Sequence, residues 1–209
     1  MILSRYTRAM RGYCSVVLVF LLTAFSALSV QARPVETEKW SDQFDRHFKK
    51  YSKRYFGPHF EWRWFKSQGI AESNLNENAS SPAGAKGVMQ ILQSTFDEIK
   101  ELNPSFEAIE HPRWNIAAGI YYDRYLYRKW RKPLPSEERL FLAFSSYNAG
   151  YGRVLNAVKR TRKEDYTWTD VKRLLPAETR GYVSRIASLM DVTNRHRETK
   201  LRQLADLFE

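Results

Sequence analysis

The apolar residues of this chain recur at spacings of three and four and nowhere alternate with period two over the length of a strand. That pattern predicts an all-α protein, with room only for a small strand pair in its loops. Trp40, Phe44, Phe48, Tyr51 and Tyr55 follow one another at spacings of 4, 4, 3 and 4, which puts one aromatic stripe on one face of an amphipathic helix within residues 33–57. Gly57-Pro58 ends it. A second helix is expected from about Phe60 to Asn74, with Trp62, Phe65, Gly69 and Glu72 close to one face. Residues 76–87 hold Asn, Ser, Pro and Gly and read as a loop. A third helix is expected over Val88–Leu102 with Met89, Leu92, Phe96 and Ile99 inward, stopped by Asn103-Pro104. Helices over Trp114–Trp130, from a Ser136 cap to Tyr147, over Arg153–Thr161 and over Glu178–Arg195 complete the pattern. The tail from 196 to 209 adds a turn or frays.

The first 32 residues read as an export signal, placing the mature protein in the periplasm or cell envelope. Arg5, Arg8 and Arg11 precede a mostly apolar run from Val16 to Val30, and Val30-Gln31-Ala32 suits cleavage after Ala32. An uncleaved membrane anchor is the alternative, because the apolar run approaches the length of a short spanning helix. Cys14 is the sole cysteine and precedes the cleavage point, so a mature chain has neither a disulfide framework nor a thiolate nucleophile. The net charge is +11, of which the signal's arginines supply three. Exported basic proteins often act on anionic surfaces such as wall polymers. No zinc-finger or RNP-like motif points to nucleic acid.

The remaining chemistry is that of carboxylates. The histidines, His47, His59, His111 and His196, share no i,i+4 spacing, so no metal site is expected. No cofactor is expected either: Walker loops and Gly-x-Ser-x-Gly elbows are absent. Glu72 closes a largely apolar helical stretch before a Gly-rich turn. A carboxyl packed against apolar groups holds its proton to higher pH and can serve as a general acid. A second carboxyl is less obvious. Glu77 lies in the loop, and Glu178 begins the last helix, where the dipole favours its charged form.

Four segments then carry a resemblance: Ile70-Ala71-Glu72-Ser73, Ser81-Pro82-Ala83-Gly84-Ala85-Lys86-Gly87-Val88-Met89-Gln90-Ile91, Tyr147-Asn148-Ala149-Gly150, and Glu178-Thr179 with Tyr182. Together they resemble the lytic transglycosylases of the soluble-transglycosylase family, whose fold is like that of goose-type lysozyme. The resemblance implies a lysozyme-like domain over residues 58–195, with peptidoglycan glycan strands as substrate. It implies cleavage of the β-1,4 bond between N-acetylmuramic acid and N-acetylglucosamine to leave a 1,6-anhydro sugar. Glu72 would be the single catalytic acid/base. Ser81 would bond the muramyl N-acetyl group, Gln90 and Tyr147 would line the cleft, and Glu178 would hold a sugar or orient groups near the scissile bond. Ser81 could instead cap its own loop, and Tyr147 could be a core aromatic with its hydroxyl satisfied or could donate to Glu72 or to substrate. Departures from the family pattern are Glu77 where proline is common, Leu92 for methionine, Gln93 for proline, and Ser145-Ser146 for alanines. A hydrolytic muramidase and a non-catalytic wall-binding assembly factor are the alternatives. Any partner complex in the envelope is unknown.

Overall fold

A computed structural model describes residues 40–131 and 134–205, with side chains as far as Asp191. The expected export signal, its cleavage point and Cys14 lie outside the described residues. The described chain is a bundle of eight helices with one short hairpin. In order these are α1 (Asp45–Phe56), α2 (Arg63–Ser73), β1 (Ala85–Lys86), β2 (Ile91–Leu92), α3 (Gln93–Leu102), α4 (Pro112–Lys129), α5 (Ser136–Ala149), α6 (Tyr151–Thr161), α7 (Trp168–Lys172) and α8 (Ala177–Ala205). The strands pair antiparallel, Ala85 opposite Leu92 and Lys86 opposite Ile91. Among the described residues no helix is long and apolar enough to cross a membrane.

The aromatic stripe is core. Phe44, Phe48 and Tyr51 are buried, and Trp40 and Tyr55 pack against them in part. α1 lies across α4 and α2. Phe56, Phe60 and Phe65 form an aromatic knot with centroids 4.6 to 5.7 Å apart, and Phe65 meets Phe144 of α5 edge-on at 6.4 Å. α4 and α5 are the central pair, and α8 packs on both α2 and α5. Each fully buried aromatic or aliphatic side chain of this core contributes about 1.5–3 kcal/mol.

Local chemistry accounts for several helix starts. His111 Nδ1 accepts from Arg113 N at 3.2 Å, with Pro112 in the first turn of α4. Thr167 and Asp170 form a capping box on α7, a helix the hydrophobic pattern did not indicate. Ser136 does not cap α5: Pro135 holds that position, and the Ser136 hydroxyl lies 3.2 Å from the Tyr127 hydroxyl.

The third helix differs most from expectation. It starts at Gln93, and Val88–Leu92 form a turn and a strand. Gly87 at φ 73° and Gln90 at φ 44° take left-handed backbone that a right-handed helix cannot include. Met89 N is taken by Asn115 at 2.8 Å rather than by a helical carbonyl. Leu92 is 42 % exposed, not inward, whereas Met89, Phe96 and Ile99 are buried. At the far end α8 continues through Ala205, so no helix boundary falls near residue 195.

Candidate active site

Glu72 sits in the last turn of α2. Phe65, Gln68, Gly69 and Ile70 bury the inward face of that helix, and Glu72 lies one turn beyond Gln68 on the same side. Asn74 ends the helix in left-handed conformation at φ 56°, its N–H returning to Ile70 O at 2.9 Å. The Glu72 side chain is half-buried, and Tyr182 of α8 donates its hydroxyl proton to Oε1 at 2.5 Å. Burial pushes the Glu72 carboxyl up to about 7, while the Tyr182 hydrogen bond pulls the other way. The negative end of the helix dipole acts in the same direction as burial, since the last turn of α2 holds no basic residue. The result is a carboxyl able both to give and to take a proton near neutrality.

α8 clasps the end of α2 at two points. Three residues after Tyr182, Arg185 donates to Asn74 Oδ1 at 2.8 Å. Glu178, one turn before Tyr182, shares that side of the helix and is exposed. The hydroxyl that reaches Glu72 is therefore Tyr182's, and Glu178 stands a turn away.

The loop after α2 is strapped to the helices peptide by peptide. Ser73 Oγ donates to Val88 O at 2.9 Å. Asn115 of α4, fully buried, donates to Lys86 O and Ile109 O and accepts from Met89 N, all at 2.8–3.0 Å. Tyr147 donates to Met89 O at 2.7 Å. Its proton is thus committed to the loop rather than to Glu72, and its ring meets Tyr122 edge-on at 5.5 Å. Burial raises the Tyr147 hydroxyl far above its ordinary range, with the charge of Glu72 adding. Gly87 leaves no choice of residue: a Cβ there would lie 2.6 Å from Asn115 Nδ2.

Ser81 and Gln90 brace the same loop. Ser81 Oγ accepts from Ala85 N at 3.1 Å, and Gly84 N returns to Ser81 O at 2.9 Å around a turn with Pro82 in second place. Gln90 Nε2 donates to Gly87 O at 3.0 Å and to Ala79 O at 3.2 Å, so its amide protons are committed to the loop. Surface hollows of about 420 Å³, lined by Asp97, Lys100, Glu101 and Pro104, and of about 250 Å³, lined in part by His59, Trp64 and Glu137, lie elsewhere on the molecule.

Beneath Glu72 lies a second carboxyl that the sequence reading missed. Asp123 of α4 is fully buried, and Gln68 Nε2 donates to its Oδ1 at 3.3 Å. Asn115 and Asp123 fall eight apart, on one face of a helix, with Gly119 midway and with Ile116, Ile120, Leu126 and Tyr127 buried beside them. A polar stripe on a buried face was the available signal. Met89 fills the gap at Gly119, where a Cβ would lie 2.8 Å from it.

The family model of the transglycosylase SLT domain matches residues 57–168, more than half of the 209-residue chain. The chain belongs to the transglycosylase SLT family. The matched span contains Glu72, the strapped loop and Tyr147, while Tyr182 lies beyond it. Among curated proteins, SLT relatives include the membrane-bound lytic murein transglycosylase F of Photobacterium profundum, 33% identical over 132 residues that make up 62% of this chain and 24% of that protein. The protein of the same name from Mannheimia succiniciproducens is 33% identical over 134 residues, 62% of this chain and 26% of that one. The chain thus spans about a quarter of the length of these relatives. Among solved structures, the 70 kDa soluble lytic transglycosylase of Escherichia coli superposes with a TM-score of 0.61 at 23% identity, over 76% of this chain and 25% of that one. Slt from Pseudomonas aeruginosa gives 0.59 at 22% identity, over 72% and 24%. These likenesses establish the all-helical, lysozyme-like SLT fold.

Proposed function

We propose that the protein is a peptidoglycan lytic transglycosylase, cleaving the bond between N-acetylmuramic acid and N-acetylglucosamine with Glu72 as acid and then base. The observation that carries this reading is the half-buried Glu72, held by Tyr182 and poised to release a proton near pH 7. In the first step protonated Glu72 gives its hydrogen to the glycosidic oxygen and the leaving sugar departs. The muramyl N-acetyl group stabilises the anomeric carbon, as in substrate-assisted glycosidases. Glu72, now a carboxylate, accepts the proton of the sugar's own 6-hydroxyl, whose oxygen closes the anhydro ring. No water is consumed, and the internal nucleophile is already in place. Tyr182 stabilises the carboxylate between the two steps.

The relatives' names, lytic murein transglycosylases, support the substrate. The layout around Glu72 favours ring closure over hydrolysis by a carboxylate pair. The carboxyl beneath it, Asp123, is sealed from solvent and cannot activate a water, and Glu178 stands a turn away on α8. Ser81 and Gln90 in the strapped loop are the proposed contacts for sugar, together with Tyr147 and Glu178. Export to the envelope through the leader of residues 1–32 belongs to the same reading.

Digestion of purified sacculi followed by mass spectrometry of the sugar ends tests it. Anhydro-muropeptides are expected from the wild type and none from Glu72→Gln, with the variant still folded by circular dichroism. Reducing muramic ends, or an inactive wild type, would overturn the proposal.

A further inference from the structure

Asp123 and Gln68 meet in the interior, neither with any exposed surface. One hydrogen bond joins them, from Gln68 Nε2 to Asp123 Oδ1 at 3.3 Å. The other oxygen of each side chain, Asp123 Oδ2 and Gln68 Oε1, has no partner. In an ionised aspartate both would be acceptors left empty in a dry interior, which is strongly unfavourable. No lysine or arginine among the described residues forms an ion pair with Asp123. Glu72 faces it from α2, Tyr122 from its own helix, Tyr147 from α5 and Tyr182 from α8. None of these brings a positive charge.

A single proton resolves both vacancies. A carboxylic acid beside a primary amide closes a ring of two hydrogen bonds: the amide N–H donates to the acid carbonyl, and the acid O–H donates to the amide carbonyl. We propose that Asp123 is a carboxylic acid in the working protein, that its Oδ2–H donates to Gln68 Oε1, and that this acid–amide ring is a positioning element for Glu72. Burial holds the Asp123 carboxyl well above the usual carboxylate range, with the charge of Glu72 adding and the Gln68 bond opposing. Gln68 precedes Glu72 by one turn on the same side of α2, so the ring locks that turn against α4. It also keeps the group beneath Glu72 neutral when Glu72 gives up its proton. One carboxyl thus keeps its hydrogen while its neighbour exchanges one. The link to turnover rests on the proposed function; the protonation of Asp123 does not.

The test starts from Glu72→Gln, so that Glu72 does not titrate, and compares it with the same protein carrying Asp123→Asn. Asparagine reproduces the ring with N–H in place of O–H. Denaturant unfolding is followed between about pH 4 and about pH 9. The folded pKa of Asp123 lies above its unfolded value, so the wild-type aspartate loses stability as pH rises. The asparagine variant should gain on it by about tenfold in the folding constant per pH unit from the unfolded range up to the pH at which the folded carboxyl ionises, and match it at the acid end. Infrared spectra of Glu72→Gln near pH 7 should show a carboxylic-acid C=O band that shifts when aspartate carboxyls are isotope-labelled. A stability difference independent of pH would overturn the assignment, and so would the absence of such a band, a readout that does not require the asparagine variant to fold. With Glu72 intact, Asp123→Ala should lower kcat more than it changes KM, and Asp123→Asn should restore kcat. A folded asparagine variant with kcat no better than alanine's would overturn the positioning role. Wild type that leaves sacculi uncut would overturn the functional reading instead, and the unfolding and infrared results would still decide the proton.

Discussion

Tyr182 and Glu72 act as a matched donor and acceptor, and the pair makes a signed prediction. In the proposed mechanism the acid form of Glu72 does the first step, so activity should fall as pH rises through about 7. The Tyr182 hydroxyl favours the carboxylate, so Tyr182→Phe should move that alkaline limb upward by about one to two units, the worth of a charge-assisted hydrogen bond. A pH–rate profile on soluble glycan decides it, and a downward move would refute the pairing. The same shift has a stability consequence. Glu72 binds its proton more tightly folded than unfolded, so its contribution to stability is complete below its ordinary value of 4.5 and drains away towards about 7. Glu72 itself was legible in the sequence because it closes an apolar helix face before a turn. Its partner was not given a role. Tyr182 lies 110 residues downstream, and no local periodicity connects two helix ends that meet only in the packed bundle.

The loop between α2 and α3 shows how one buried amide can organise a segment. Asn115 serves Lys86 O, Met89 N and Ile109 O at once. Asn115→Ala would orphan all three, at a cost of about 2–4 kcal/mol, measurable as a lowered denaturant midpoint. The loop carrying Ser81 and Gln90 would loosen, raising KM for glycan as well. A variant with unchanged stability would show that the amide is dispensable. The helices of this fold were legible where apolar residues recur at helical spacing, as in α1 and α4, although α1 begins at Asp45 and leaves Trp40 and Phe44 before it. They were misjudged where left-handed backbone intervened. Val88 to Leu92 looks helical by composition, but Gly87 and Gln90 at positive φ turn it into a hairpin arm. Ser136 misled for another reason: its hydroxyl faces Tyr127 across the bundle, a tertiary contact that a capping rule cannot foresee. Of the two serines that depart from the family pattern, Ser146 is explained, since it donates to Leu142 O at 2.7 Å and accepts from Trp130 Nε1 at 3.3 Å.

Taken entire, the chain joins a strongly basic balance, +11, to a site whose one mobile proton belongs to a neutral-range acid. Long-range attraction to an anionic wall polymer should therefore assist capture more than chemistry. Sacculus binding by Glu72→Gln, measured by sedimentation, is expected to weaken as salt rises from about 50 mM to about 500 mM, where the screening length falls to a few ångströms. Salt-independent binding would assign capture to short-range contacts alone. The assembly order of the bundle has a further meaning. Because Glu72 borrows its hydroxyl partner from a residue 110 positions later, a growing polypeptide presents the acid well before the group that holds it. A product cut short before residue 182 carries the acid but not its aim. The acid is set only once α8 has docked on α2.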